Sequence, residues 1–259
     1  MPSEAVQNEI SSVRKHYESR SEHGTSFLLS GDSGTGKTYA LQFCPAPIHI
    51  DEFDPRGEES LHEAIKTGRV LVDSSFQDED EKVPRALAAW DAAFERRSRM
   101  GYFNTIGTYS IDSLTFLSQA AMNVVLKQKG RPGGTPQQDD WLPQMTLVRK
   151  VMDKISRLPC TVVVTAHLDL KEDKISGQLL YRTMITGKLQ TLVPALFSEL
   201  YITRALEVKD GIRYAFQTQA TGRYIARTRI GKGVLETYEE PNIQSILRRC
   251  GKTWEDKEI

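Results

Sequence analysis

The run Gly31-Asp32-Ser33-Gly34-Thr35-Gly36-Lys37-Thr38 satisfies G-x-x-x-x-G-K-[ST] at every fixed position. An apolar stretch, Ser26 to Ser30, stands before it, and Tyr39 to Phe43 after it is able to continue as a helix. These residue types in this order make a phosphate cradle. The glycines let successive N–H groups turn toward a phosphate chain, and the helix N-terminus adds its positive dipole end. Lys37 would then reach the β- and γ-phosphates while the Thr38 hydroxyl ligates Mg²⁺. With a strand before the loop and a helix after it, the chain reads as one that binds a nucleoside triphosphate.

A phosphate cradle alone hydrolyses nothing. It needs a carboxylate near Mg²⁺, a group that positions or deprotonates water, and cations for the developing charge. Asp112 ends the apolar run Thr108 to Ile111, so its side chain would emerge at the carboxyl edge of a sheet and serve the metal, most simply through a water; the competing role is the cap of the helix that starts at Leu114. Ser113 and Thr115 add hydroxyls nearby. Glu52 follows the strand-like Ile48-His49-Ile50 and is the candidate for activating water, with Asp51 and Asp54 competing for the role. His167 closes the apolar run Val162 to Ala166, where it could sense a γ-phosphate and pass its loss to the flexible, irregular segment expected over Asp169 to Gly187, or simply pack as a core histidine. Arg223, Arg227 and Arg229, with Lys232, interleave with apolar residues at a period of two. They read either as a solvated face or as cations offered to a neighbouring subunit's triphosphate.

These groups need a scaffold, and the pattern supplies one. Strand-like runs (Ser26 to Ser30, Pro47 to Glu52, Arg69 to Asp73, Gly107 to Asp112, Thr161 to His167) alternate with helical stretches over 59–67, 84–100, 114–127 and 147–158. That alternation predicts an α/β domain with a mainly parallel sheet flanked by helices. Lys129 to Gln144 is rich in Gly and Pro and predicts a long loop. Beyond Glu199, runs at Leu200 to Thr203, Arg213 to Gln217 and Tyr224 to Arg227, separated by Lys209-Asp210-Gly211 and Thr221-Gly222, predict an antiparallel hairpin extension. Residues 1–23 form a helical lead-in with Val6, Ile10 and Val13 at helical spacing, 24–235 the core, and 236–259 a short helix and polar tail.

Composition narrows the setting. Lys+Arg and Asp+Glu both number 34 among 259 residues, so nucleic-acid binding must rest on local patches. Three widely spaced cysteines, Cys44, Cys160 and Cys250, form neither a disulfide framework nor a zinc motif and suit a reducing cytoplasm. No apolar run approaches the roughly 20 residues that span a bilayer, and no membrane partner is expected.

In sum of motifs, the chain resembles the RecA-like P-loop ATPase core, in particular the compact phage-encoded members related to the recombinase core of single-strand annealing. The likeness is carried by Gly31–Thr38, Ile48–Pro55, Tyr109–Thr115, Val162–His167, Gly187–Leu189 with Pro194–Tyr201, and Tyr224–Arg229. It implies ATP and Mg²⁺ as cofactors, a homo-oligomeric ring or filament with nucleotide at subunit interfaces, and action on single-stranded DNA in recombination, annealing or replication, with a single-strand-binding protein as a further partner and host cytoplasm as the location. Hydrolysis would be DNA-stimulated. By position the DNA loops would be Lys127 to Gln144, with Lys129, Arg131 and Trp141, and Leu168 to Gln190, with Lys171, Lys174, Arg182 and Lys188. The alternatives are an ATP-dependent loader or adaptor for a helicase, terminase or single-strand-binding protein and, further off, a small-molecule kinase, whose Arg-rich lid residues 168–181 do not resemble. Replacing Lys37 with Ala is expected to abolish nucleotide hydrolysis while circular dichroism and the thermal transition stay those of a folded protein. Wild-type turnover in that variant would overturn the phosphate-loop reading.

Overall fold

Along the central strands neighbouring apolar residues point into different cores, and this divides the molecule into layers. In β1 (Ser26–Ser30), Phe27 and Leu29 enter one core and Leu28 the other. Val163 parts in the same way from Val162 and Val164 further along the chain. A strand buried on both faces has no polar side, so its sequence reads as a continuous apolar run. The structure, a computed structural model, describes residues 3–21, 24–78, 80–172 and 177–258.

The remaining strands are β2 (Ile48–Glu52), β3 (Val70–Asp73), β4 (Thr108–Asp112), β5 (Thr161–Ala166), β6 (Leu168–Glu172), β7 (Leu179–Thr183), β8 (Glu199–Val208), β9 (Gly211–Gln217) and β10 (Tyr238–Glu239). Eight of the strands form one sheet in the order β10-β9-β8-β1-β5-β4-β2-β3. From β8 to β3 every pairing is parallel, and β9 and β10 are added antiparallel at one edge. This is the mainly parallel α/β architecture with a C-terminal hairpin that the alternation predicts. The helices are α1 (Glu4–Ser21), α2 (Lys37–Ala40), α3 (His62–Lys66), α4 (Ala86–Arg99), α5 (Leu114–Gln128), α6 (Trp141–Ile155), α7 (Leu189–Leu196) and α8 (Ile243–Arg249). α4 to α7 cover one face of the sheet; α2, α3 and α8 cover the other. In α1 the stripe of Val6, Ile10 and Val13 is exposed.

Three local expectations are corrected. The helix expected from Leu147 begins at Trp141, inside the expected loop. Gln137 and Asp140 bond each other's backbone in a reciprocal capping box, and Pro143 falls in the first turn, where its missing N–H costs nothing. The segment after His167 is not irregular: β6 and β7 pair as an antiparallel hairpin, with Leu168 opposite Thr183. Tyr224 to Arg227 is not a strand. β9 lies along β8 from Ile202 onward, which leaves Leu200 to make a single bridge with Arg227, at 2.8 Å in both directions. The helical continuation expected over Tyr39 to Phe43 is present, α2 passing into a 3-10 turn at Leu41–Phe43.

One polar network braces β2 from the side away from the phosphate loop. Asp51, fully buried, accepts from Arg97 at 2.8 Å and from the Tyr109 hydroxyl at 2.5 Å, and lies 2.9 Å from His49 Nε2. Arg97 also binds Asp73, and Trp90 donates to the Tyr109 hydroxyl at 2.9 Å. Ion-pairing and hydrogen bonds to Asp51 and Asp73 hold Arg97 above its ordinary pKa against the opposing effect of burial. His49, Asp51 and Asp73 could between them offer three metal-ligand atoms. The guanidinium of Arg97 already binds both carboxylates, so the cluster is an ion-pair network. Arg97→Met would leave Asp51 buried without its cation and is expected to cost about 3–5 kcal/mol of stability, read as a lower urea midpoint at unchanged slope.

Candidate functional site

The carboxyl ends of β1, β5, β4 and β2 reach one edge of the sheet, and the candidate residues stand there in a row. Ser30 is level with Ala166, the residue before His167, and Glu52 is level with Asp112. Strand order therefore gathers residues up to 136 positions apart in the chain (31 to 167) along one edge.

The phosphate loop is closed by its own hydroxyls and by β8. Thr35 Oγ1 donates to the Asp32 carbonyl and lies 2.7 Å from Thr203 Oγ1. At Gly31 a Cβ would fall 1.9 Å from Thr203 Oγ1, so no other residue fits there. Lys37 is buried, and its ammonium donates to the carbonyls of Gly31 at 3.1 Å and Asp32 at 2.9 Å. Burial pulls its pKa down, against the attraction of Asp112, Asp54 and Asp32. Ser33, Gly34 and Gly36 line the cavity above the loop together with Lys37 and Thr38.

Asp112 is fully buried and ties three elements together. Its Oδ2 accepts from Thr38 Oγ1 at 2.6 Å, and its Oδ1 accepts from Thr165 in β5. Its backbone carbonyl accepts from Phe53 N at 2.6 Å and Asp54 N at 3.1 Å. Burial raises its pKa, reinforced by Asp54 and opposed by the two hydroxyl bonds and Lys37. No cap bond joins a side chain to the start of α5, so the capping alternative does not describe Asp112. Mg²⁺ is a hard cation that takes oxygen ligands, and a carboxylate in contact with the Thr38 hydroxyl fits it. Thr38 and Asp112 would hold the ion, which when bound would neutralise charge on the β- and γ-phosphate oxygens.

The three acids after β2 separate by direction. Asp51 faces the Arg97 network and is remote from the loop. Glu52 lies beside Asp112 under the segment that starts at Gly57, where a side chain would come 2.6 Å from Glu52 Oε1. Burial, the neighbouring Glu58 and Asp112 together raise its pKa to about 9. Asp54 lines the loop cavity. Its Oδ1 accepts from Ser113 N at 2.9 Å and Ser113 Oγ at 2.5 Å, and its Oδ2 lies 3.4 Å from His167 Nε2. His167 also lines this cavity, and its backbone N–H donates to Thr115 Oγ1 at 3.0 Å. Ser113 and Thr115 thus link Asp112's strand to both Asp54 and His167.

The arginines lie toward the opposite end of the strands. Arg227 donates to the carbonyls of Pro194 at 3.0 Å and Phe197 at 2.8 Å, which fastens the end of α7. Arg229 bonds Glu199 through its backbone and exposes its side chain. Glu199 is level with Phe27, near the start of β1, so neither cation approaches its own phosphate loop. Among the proposed DNA cations, Lys129 and Arg131 pair with Asp140 at 2.9 and 2.8 Å, while Lys174 lies outside the described residues. Trp141, Met145, Met184 and Lys171 line an open groove of about 660 Å³ that also contains Thr115. Thr203, whose hydroxyl closes the phosphate loop, carries no local signal, whereas Thr165, a polar residue near the end of a largely apolar strand, is a legible one.

A family model described as an AAA domain, AAA_24, matches residues 23–230. The chain belongs to this family. Its phosphate loop, with the Asp112 strand beside it in a mainly parallel sheet, is that of a P-loop ATPase. No curated protein sequence matches it. Similar solved structures include the flagellar accessory protein FlaH of Methanocaldococcus jannaschii, 12% identical with TM-score 0.45, covering 83% of this chain and 84% of that one. The KaiC-like protein PH0186 of Pyrococcus horikoshii OT3 is 11% identical with TM-score 0.44, covering 80% and 84%. No helix among the described residues of this AAA domain protein is long and apolar enough to cross a membrane.

Because the fold raises the pKa of Glu52 to about 9, the native state binds a proton there that the unfolded chain has lost. The stability this contributes is complete below the unfolded pKa of about 4.5 and is lost as pH rises through the folded value. Wild-type urea midpoints are therefore expected to fall from pH 5 to pH 9 more steeply than those of Glu52→Gln. Parallel profiles would show that Glu52 is not buried in its neutral form.

Proposed function

We propose that this protein hydrolyses ATP at an interface between its own copies and uses the cycle to grip and release single-stranded DNA, in phage-type recombination, annealing or replication. The observation that carries the hydrolytic part is the contact of Thr38 with Asp112 at 2.6 Å, beside Lys37 and across the sheet edge from Glu52, Asp54 and His167. In the reaction water attacks the γ-phosphorus in line and the bond to the bridging oxygen breaks. The loop amides and Lys37 orient the phosphates, and Glu52 aligns the water and takes its proton once ionised. His167, held by Asp54 and Thr115, couples the γ-phosphate to the β6–β7 hairpin that follows it.

Two placements support the remaining parts. The exposed Trp141, next to Met145, Met184 and Lys171, offers a stacking surface with a cation, which suits single-stranded bases. That groove shares Thr115 with His167's hydrogen bond, so it adjoins the proposed sensor. Arg229, exposed and remote from its own loop, suits action in trans.

Glu52→Gln is expected to bind ATP and lose roughly 10²-fold or more in turnover; full activity would transfer the role to Asp54, for which Asp54→Asn is the matching test. Single-stranded DNA is expected to stimulate wild-type turnover. Arg229→Ala and Lys37→Ala subunits, each inactive, should regain turnover when mixed, because some interfaces then pair an intact loop with an intact finger. Nucleotide binding without any turnover would favour a loader or adaptor instead.

A further inference from the structure

The cavity above the phosphate loop, about 650 Å³, does not end at the phosphates. It runs past Gly36 to Tyr39, Tyr214 and Pro241, which come from α2, β9 and the approach to α8. The Tyr214 ring stands 3.5 Å from the point where a side chain on Gly36 would begin. A residue larger than glycine there would fill the space between loop and ring. Tyr214 is 48% exposed and Tyr39 is 52% exposed, so two large aromatic surfaces stand open to water beside a cradle for phosphates. Tyr214 is paired across the hairpin with Ala205, and the Tyr39 ring packs edge-on against Phe43 at 5.7 Å.

A nucleoside triphosphate whose phosphates are fixed by Gly34 to Thr38 has to direct its sugar and base somewhere within this cavity. The end away from Lys37, Asp54 and His167 is the one that Tyr39, Tyr214 and Pro241 define. A flat heteroaromatic ring is the ligand that flat, rigid, half-exposed aromatic side chains suit best, since stacking needs only a π face. Selection between purines needs something else. It needs a group that reads the base edge, such as a carboxylate for the N1–H and 2-amino group of guanine. Beyond the phosphate loop, Asp54 and His167, the lining is two phenols, the Ser60 hydroxyl and a proline, with no further carboxylate or amide side chain. A phenol hydroxyl donates or accepts as required, so it serves a 6-amino or a 6-oxo group alike. A site without a dedicated edge partner discriminates weakly, whereas one built around such a partner rejects the wrong ligand by 10⁴-fold or more.

We infer that Tyr214 and Tyr39 form the nucleobase platform of this site and grip the base by its faces, so that both ATP and GTP are substrates, with kcat/KM values within about tenfold of each other. The inference rests on the phosphate-loop site proposed above and extends its substrate class from adenine to purine triphosphates.

The test compares ATP and GTP on the full-length protein, by steady-state turnover and by calorimetric titration, for wild type, Tyr214→Ala, Tyr214→Phe and Tyr39→Ala. The expected result is comparable kcat/KM and Kd for the two nucleotides in wild type. Tyr214→Ala should raise KM and Kd for both by roughly tenfold, the loss of one stacking face, with kcat changed much less. Tyr214→Phe, which keeps the face and removes the hydroxyl, should restore both constants. GTP poorer than ATP by more than about tenfold in Kd or in kcat/KM would overturn base tolerance. Unchanged KM and Kd in Tyr214→Ala would overturn the platform. Because titration needs no turnover, tight binding of both nucleotides without hydrolysis would count against the ATPase reading alone, and binding of neither would overturn both.

Discussion

The carboxylate of Asp112 is the group on which the arrangement of this sheet edge turns. It is withdrawn from solvent and meets Thr38 from the phosphate loop and Thr165 from the neighbouring strand, while its own carbonyl anchors Phe53 and Asp54 beyond β2. A buried carboxylate is costly unless its oxygens are satisfied. Each of these hydrogen bonds therefore stabilises the group and also sets the distance between strands that are far apart in the chain. Positioning this carboxylate beside the phosphate loop and assembling the sheet edge are here one physical event.

From that anchor the site divides into two linked halves. On the side of β2, Asp54 is bound by Ser113 and faces His167, whereas Glu52 is drawn under the Gly57 segment and held in its neutral form. A neutral carboxyl is no base. The role of base proposed for Glu52 requires its ionisation, which an approaching cation would favour. On the side of β8, Thr203 closes the loop through Thr35, and the strand continues beyond the sheet edge into the hairpin that carries Tyr214. One strand thus supports both the phosphate cradle and the wall next to it.

The Asp51 network shows how one strand serves two ends. Asp51 and Glu52 are adjacent, so period-two geometry sends them to opposite faces. One becomes the centre of a paired, dry cluster with Arg97 and Tyr109, and the other stays with the site. Acids that look equivalent in a run such as Ile50-Asp51-Glu52-Phe53-Asp54 are separated by the pleat and by the partners each face provides.

Much was legible without coordinates, for physical reasons. The phosphate loop is local: its backbone geometry, its glycines and its Lys37-Thr38 ending are contiguous, so pattern alone defines them. The parallel sheet was legible because strands buried on both faces become apolar runs, and Asp112 and His167 were legible because a polar residue ending such a run must emerge at the strand's carboxyl end. The β6–β7 hairpin, the early start of α6 and the irregular course of Tyr224 to Arg227 were not legible. They depend on pairings and caps between segments, such as Leu168 with Thr183 and Leu200 with Arg227. The choice among Asp51, Glu52 and Asp54 as the acid facing the phosphate cavity, the closure of the loop by Thr203, and the placing of Tyr214 beside Gly36 likewise required the packed chain. Each is a contact between residues remote in sequence, and no local pattern encodes which remote partner a side chain will meet.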